Sequence, residues 1–250
     1  MNVHPLYGPH IRLVRAEEHL DKIDELFAGF RAANPYKVVG KLFQNSQFYE
    51  YSLFGEPPPL DFAVLGGEAI YNLRSALDQL VWQLCLLTTQ KPENRAEFLI
   101  YRSPKEFRAN RWKLKALPLG ASDVVEGLQP YVRSPRPEDD LLWKLHTLCI
   151  ADKHRAFNRI VPTVSFPKLA GIEIPKGPID DGDVFARVPI SVDVKKDFEP
   201  YVAVTPTLKV EGPAGGQGIS VFREVHEYVR SVVLPLFIGF FPPIPESIDW

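Results

Sequence analysis

Cysteine is nearly absent from this chain of 250 residues, which contains only Cys85 and Cys149. Both lie within helical apolar patterns, so the sequence predicts buried free thiols rather than a disulfide framework. The chain also lacks a Cys-x-x-Cys pair, a His-Glu-x-x-His motif and a complete calcium loop. We therefore predict no metal site and no cofactor.

Long apolar runs and an excess of charge of one sign are missing as well. The longest apolar runs, around residues 81–87 and 232–241, are too short to span a bilayer. The first residues lack the apolar core of a signal peptide, so we expect a cytoplasmic location. A formal net charge of −2 produces no global field that would demand nucleic acid, although it permits a local basic patch.

Proline is abundant, with 24 residues, and most of the prolines lie between segments of clear periodicity. Helical spacing of apolar residues predicts helices at about 13–33, 61–88, 137–155 and 219–234. Aromatic and β-branched residues predict a β-hairpin at 36–54, a short strand at 98–101 and a β-rich section at about 160–210. The expected fold is α+β and a single domain over 1–250. Its helical bundle core carries an N-terminal β-hairpin and a β-rich insertion before the C-terminal helix.

The helix predicted at 61–88 carries the first candidate site. Arg74 and Asp78 are one helical turn apart, a spacing that suits an intrahelical ion pair. Both flank the apolar face, so they could also reach a neighbouring helix. Asp152 follows Leu148 by four residues and is in line with the buried face of its own helix. A buried Asp152 would need a partner, and we predict a structural ion pair with Arg74.

The end of the helix predicted at 137–155 reads Asp-Lys-His-Arg. Cations in a last helical turn complement the carbonyl end of the helix dipole, which explains the cluster in structural terms. His154 has a second interpretation, because an imidazole titrates near neutral pH and can act as a general acid or base.

A basic segment at 101–115 is the best candidate for nucleic-acid binding. It holds six basic residues against one acidic residue, interleaved with aromatic residues. Cations bind phosphates and aromatic rings stack on bases, so the candidate contacts are Lys105, Arg108, Arg111, Trp112 and Lys115. On a continuous helix, the four basic residues of this set would share one face. A solvated basic surface balanced by acidic residues elsewhere is the structural alternative.

The motifs at 71–79 and 152–155 resemble those of a family of uncharacterised bacterial proteins. The central helix of that family reads His-Asn-Leu-Arg-Ser-Ala-Leu-Asp-His-Leu, and a Leu-Gln-Pro-Tyr element and an Asp-Lys-His-Arg helix end follow. Here Leu128–Tyr131 matches the Leu-Gln-Pro-Tyr element. The family's arginine-to-histidine spacing is similar to that of HEPN ribonucleases. These are helical, commonly dimeric enzymes of toxin and antiphage systems that cleave RNA without metal.

The chain departs from that pattern at two positions, because Tyr71 and Gln79 stand where the family has histidines. Glutamine can hydrogen-bond a phosphate but cannot transfer a proton near neutral pH. The leading interpretation is therefore a non-catalytic or degenerate HEPN-like protein that binds RNA or a partner protein, in defence or stress, and that could form a homodimer. The alternatives are a metal-independent ribonuclease that uses Arg74, Asp78 and His154, and a structural protein without a small ligand.

Overall fold

A computed structural model of the chain describes residues 4–42, 47–89, 91–92, 95–154, 159–165, 181–189, 203–209 and 220–243. The fold is α+β, as predicted. The helices are α1 (Tyr7–Ala32), α2 (Asp61–Leu86), α3 (Pro104–Asn110), α4 (Ala121–Gly127), α5 (Pro130–Arg133), α6 (Leu141–His154), α7 (Ser220–Tyr228) and α8 (Pro235–Ile238). The strands are β1 (Tyr36–Leu42), β2 (Phe48–Gly55), β3 (Arg159–Ser165), β4 (Val184–Pro189) and β5 (Ala203–Lys209).

Helix α2 is the centre of the helical core. Its inward face is fully buried, at Leu73, Ala76, Leu77, Leu80, Val81 and Leu84. Helix α1 runs antiparallel to it, since Gly8 lies beside Gln79 while Phe30 packs edge-on against Phe62. Helix α6 contributes Leu142, Leu145 and Leu148 to the same apolar cluster. Burying this much apolar surface is the main stabilising contribution to the bundle.

Helix α7 closes the bundle against both α1 and α2. A Cβ added to Gly66 would lie 3.2 Å from the ring of Phe222, so glycine at this position allows the close approach of α7. His226, which is 4% exposed, donates from Nε2 to the carbonyl of Leu13 at 3.2 Å. Arg223 pairs with Asp21 and Asp24 of α1, at 2.6 Å in each case.

Three predicted helices differ from the structure at their ends. Helix α1 begins at Tyr7 rather than at residue 13. The helix predicted at 137–155 is divided into a 3-10 turn, Pro137–Asp139, and helix α6. The break lies at Asp140, whose side chain accepts from Leu142 N at 2.8 Å and caps α6. In the C-terminal helix, Val229–Val233 forms a π turn in which Leu234 N donates to Val229 O. Pro235 lacks the amide hydrogen that a regular α-helix would need there.

Two antiparallel sheets accompany the helices. Strands β1 and β2 form the predicted hairpin, and β4 pairs with β2 from Phe48↔Pro189 to Ser52↔Val184, with a register shift after Tyr51. Strand β3 pairs with β5 in a separate two-stranded sheet. The rest of the predicted β-rich section, at 166–180, 190–202 and 210, lies outside the described residues.

The short strand predicted at 98–101 is wrong. Phe98, Leu99 and Ile100 are buried, but this segment pairs with no strand in the described part of the chain. The side chain of Gln129 satisfies backbone hydrogen-bonding groups of this segment instead. Tyr101 N donates to Gln129 Oε1 at 2.9 Å, and Gln129 Nε2 donates to Leu99 O at 2.7 Å. Gln129 is fully buried, so its amide takes the place of a neighbouring strand.

Cys85 and Cys149 are both buried, and they do not form a disulfide with each other. Across the described ranges, none of the helices is both long enough and apolar enough to cross a bilayer.

Candidate functional site

Arg74 and Asp78 form a bidentate ion pair on α2. Arg74 Nε lies 3.0 Å from Asp78 Oδ2, and Arg74 Nη2 lies 2.9 Å from Asp78 Oδ1. The pair also holds the segment that follows α2, because Arg74 Nη2 donates to Phe98 O and Phe98 N donates to Asp78 Oδ1, both at 2.9 Å. These contacts make the pair a clamp between α2 and the buried segment at 98–100.

The clamp extends to two further charged residues. Glu97 lies 3.7 Å from Arg74 Nη2 and also pairs with Lys113. Burial raises the pKa of the Asp78 carboxyl, although Arg74 and the Phe98 amide act in the opposite direction. Arg74 is only 14% exposed, and its Nη1 is buried without a hydrogen bond.

The structure gives Arg74 different partners from the one predicted. Asp152 lies at Gly67, two helical turns before Arg74, and a Cβ at Gly67 would be 2.7 Å from Asp152 Oδ1. In the part of the chain that the structure describes, the ion pairs of Arg74 are to Asp78 and Glu97. Gly67 therefore accommodates the Asp152 carboxylate, and the two predicted partners belong to separate sites.

Gln79 holds α1 against α2. With its amide oriented to satisfy both ends, its nitrogen donates to Gly8 O at 3.3 Å. Its oxygen accepts from Ser75 Oγ and from Arg12 Nε, each at 3.3 Å. The position where the resembling family has a histidine is thus occupied by an amide engaged in helix packing.

The predicted catalytic histidine is at the end of α6, and a second histidine, His146, lies about two turns earlier on the same helix. The backbone of His154 is helical, but its side chain lies outside the described residues. The ring of His146 contacts that of Trp143, with centroids 5.1 Å apart and the planes tilted by 38°. Burial, with a smaller contribution from the charge of Arg74, lowers the pKa of His146 to about 4. His146 follows the buried Leu142 by four residues. That helical spacing in the sequence could have predicted that His146 lies on the buried side of α6.

A cavity between α1, α2 and the end of α6 brings Tyr71 and Asp152 together with residues that no sequence pattern indicated. It has a volume of about 420 Å³, and its lining includes Arg12, His19, Glu68, Tyr71, Asn72 and Asp152. His19 Nδ1 lies 3.3 Å from Glu68 Oε2, and Arg12 Nη1 donates to Asn72 Oδ1 at 3.0 Å. The register of α1 against α2 creates this group, and that register is not visible in the sequence.

A second cavity, of about 400 Å³, continues along α2 beyond Tyr71. Tyr71 lines both cavities, and the second one also contains Arg74, Ser75, Asp78, Gln79 and Trp82. Tyr71 is 54% exposed and Trp82 is 38% exposed. The exposed side of α2 is thus a polar groove with an aromatic ring on either side of Ser75.

The basic segment is exposed, but it is not one continuous α-helix. Helix α3 ends at Asn110, and Arg111–Leu114 forms a 3-10 turn, so the predicted single basic face is wrong. Arg111 is paired with Asp123 at 2.6 Å and with Glu126 at 3.3 Å. Lys105, Arg108, Trp112 and Lys115 are exposed, and Trp112 is 46% exposed.

No group of three His, Cys, Asp or Glu side chains within the described ranges is arranged to hold a metal ion. Comparison of the chain with protein-family models, with curated proteins and with solved structures found no match.

Proposed function

We propose that this chain is a non-catalytic, degenerate HEPN-like protein that binds RNA, with a role in defence or stress. The observation that carries the proposal is that residue 79 is a glutamine whose amide is engaged in hydrogen bonds. In the resembling enzymes a histidine at this spacing from the arginine transfers the proton. Here the Gln79 amide spans Gly8, Ser75 and Arg12 and has no titratable proton near neutral pH.

The surroundings of Arg74 support the same conclusion. Its Nε and Nη2 groups are used by Asp78 and by the carbonyl of Phe98, so they hold the protein's own chain. A catalytic arginine must instead direct donors to the charge that develops in the transition state. The clamp therefore favours a structural role for Arg74 and Asp78 over the ribonuclease alternative.

RNA binding is assigned to the exposed part of the basic segment. Lys105 and Arg108 are exposed on α3, and Trp112 follows on the 3-10 turn. Arg111 contributes less because Asp123 and Glu126 neutralise it. Cations that attract phosphates beside an exposed indole ring are the usual composition of a single-strand binding surface.

The test combines a cleavage assay and a binding assay on one mixed RNA pool, with the pure protein in EDTA. We expect wild type to bind RNA without cleaving it. The triple variant K105A/R108A/W112A should bind RNA much more weakly, and its RNA affinity should depend less on salt concentration. Arg136→Ala removes an exposed cation elsewhere on the surface and should leave binding unchanged. Cleavage that Arg74→Ala abolishes would establish the ribonuclease instead. Absence of binding would favour the structural alternative.

The proposal includes a homodimer, and an apolar cleft between α1 and the start of α2 is the surface we assign to it. The cleft has a volume of about 680 Å³ and is lined by Leu26, Phe30, Pro59, Val64 and Leu65, among others. Leu60 is 71% exposed and precedes the first turn of α2. In light scattering, Leu60→Glu should shift a dimer towards monomer, whereas Leu119→Glu, at a fully exposed leucine that does not line the cleft, should not. A monomeric wild type would refute the assembly.

A further inference from the structure

In the part of the chain that the structure describes, Arg12 is a half-buried cation hydrogen-bonded to neutral groups. Its Nη1 donates to Asn72 Oδ1 at 3.0 Å, and its Nε lies 3.3 Å from the Gln79 oxygen. Among the described residues it has no ion pair, whereas Arg15 on the same helix lies 2.6 Å from Glu18. Half-buried charges are normally compensated by a carboxylate. The positive charge of Arg12 is therefore available to an anion.

The two residues that hold Arg12 are themselves fixed. Asn72 Nδ2 donates to Glu68 O at 2.9 Å, which fixes the direction of its acceptor oxygen. Gln79 is fixed by Gly8 and Ser75. A guanidinium has five N–H donors, and these contacts use two of them. The remaining donors belong to a group whose orientation is set before any ligand arrives, which lowers the entropic cost of binding.

An aromatic ring lies directly beside the cation. The guanidinium carbon of Arg12 is 6.0 Å from the centroid of the Tyr71 ring, and Tyr71 is 54% exposed. Both line the cavity of about 420 Å³, a volume within the usual range for small-molecule sites. A ligand in this cavity could meet a fixed cation and the face of a ring at the same time.

We propose that this cavity binds a nucleoside monophosphate, with the phosphate on Arg12 and the base stacked on Tyr71. Arginine binds phosphate through parallel N–H bonds, and exposed aromatic rings stack on any base. The Asp152 carboxylate lies at the Gly67 end of the same cavity. Arg12 lies against Gln79, so a phosphate bound by Arg12 would lie towards Gln79 and away from Gly67. The site does not depend on RNA binding by the basic segment.

The test is calorimetric titration of the full chain with AMP, CMP, GMP and UMP, and separately with adenosine and inorganic phosphate. We expect at least one monophosphate to bind more tightly than either of its parts. Arg12→Gln should weaken that binding by about tenfold to a hundredfold, as loss of hydrogen bonds to a charged group implies. Arg15→Gln removes a cation one turn away that is already paired and should leave the affinity unchanged.

Tyr71→Ala keeps the test decisive if Arg12→Gln fails to fold, because Tyr71 is exposed. It should weaken monophosphate binding while leaving the weak binding of inorganic phosphate unchanged. A 5′-phosphorylated oligonucleotide that competes with the monophosphate would identify an RNA end as the source of the nucleotide, and failure to compete would identify the free nucleotide. The proposal is wrong if no monophosphate binds at millimolar concentration, if inorganic phosphate binds equally well, or if neither variant weakens binding.

Discussion

Arg74 and Arg12 are both held at the surface of α2, but by opposite kinds of group. Arg74 is bound by the carboxylate of Asp78 and by the carbonyl of Phe98, with Glu97 nearby. Arg12 is bound by two side-chain amides, Asn72 and Gln79. The first arrangement neutralises the cation, and the second fixes its direction while leaving its charge in place.

This difference separates a residue that stabilises the fold from one that is available to a ligand. A carboxylate partner lowers the free energy of the folded chain and consumes the attraction that an anion would otherwise feel. Amide partners supply hydrogen bonds without that neutralisation. Sequence motifs direct attention to Arg74, although the electrostatics of the structure favour Arg12 as the binding residue.

The largest expected effect is on the Arg74 side of this comparison. Asp78→Ala should lower the free energy of unfolding by about 3 kcal/mol, because Arg74 loses its carboxylate and Phe98 N loses its acceptor. Urea denaturation measures the change. Glu18→Ala, which removes an exposed carboxylate from Arg15, is the matched control and should cost less than about 0.5 kcal/mol. Equal effects of the two variants would refute the clamp.

The next effect is a dependence of stability on pH near the same clamp. The folded chain holds the pKa of His146 at about 4, below its ordinary value of 6.5. Between these values the unfolded chain binds more protons, so stability is complete above about pH 6.5 and is lost as the pH falls towards 4. We expect about 2 kcal/mol after allowance for partial exposure.

His146→Gln should remove most of that pH dependence in urea denaturation between pH 4 and 6.5. His226 should contribute a slope in the same direction, because burial also lowers its pKa, whereas the raised pKa of Asp78 should contribute one in the opposite direction. An unchanged slope in the variant would show that His146 is not the group responsible.

A smaller effect is expected at the cavity beside Arg12. Gly67→Ala places a Cβ 2.7 Å from Asp152 Oδ1, so the Asp152 carboxylate or the end of α6 must shift, at a cost of about 1 kcal/mol. Gly127→Ala is a control in the last turn of α4, where an added Cβ meets nothing within 4 Å. It should stabilise by about 0.5 kcal/mol because alanine favours the helix. Thermal unfolding that moves in the same direction for both variants would contradict the close approach of Asp152.

The smallest effect on stability is expected for Arg12→Gln. The variant loses hydrogen bonds to Asn72 and Gln79, but it also removes a half-buried charge that has no ion pair among the described residues, so the net change should be about 0.5 kcal/mol or less. Urea denaturation beside Asp78→Ala makes the comparison direct. A loss as large as that of Asp78→Ala would mean that Arg12 is structural as well.

The periodicity of apolar residues was sufficient to predict a helix that buries one face along its whole length. The prediction for α2, 61–88, is close to the observed Asp61–Leu86, because apolar side chains recur at helical spacing along its whole length. The division before α6 was missed because it depends on one side-chain cap, at Asp140. Gln129 in place of a neighbouring strand could not be predicted either, since it acts on a segment 28–30 residues away.

The candidate site was predicted only where its parts are neighbours in sequence. Arg74 and Asp78 are one turn apart and do form a pair, a short-range relation that helical geometry determines. The partner of Asp152 was predicted from burial on each helix separately, which does not give the axial register between helices. Arg12 was missed for the same reason, because it meets Asn72 across 60 residues.

The contact between α1 and α7 has a consequence for synthesis of the chain. His226 and Leu13 are separated by 213 residues, so α1 is complete long before its partner helix exists. At ordinary elongation rates that interval is about 10 to 40 s. During it, the apolar faces of α1 and α2 that α7 later covers are open to water or to a chaperone. A ribosome stalled before residue 220 would therefore carry a nascent helical bundle from which α7 is missing.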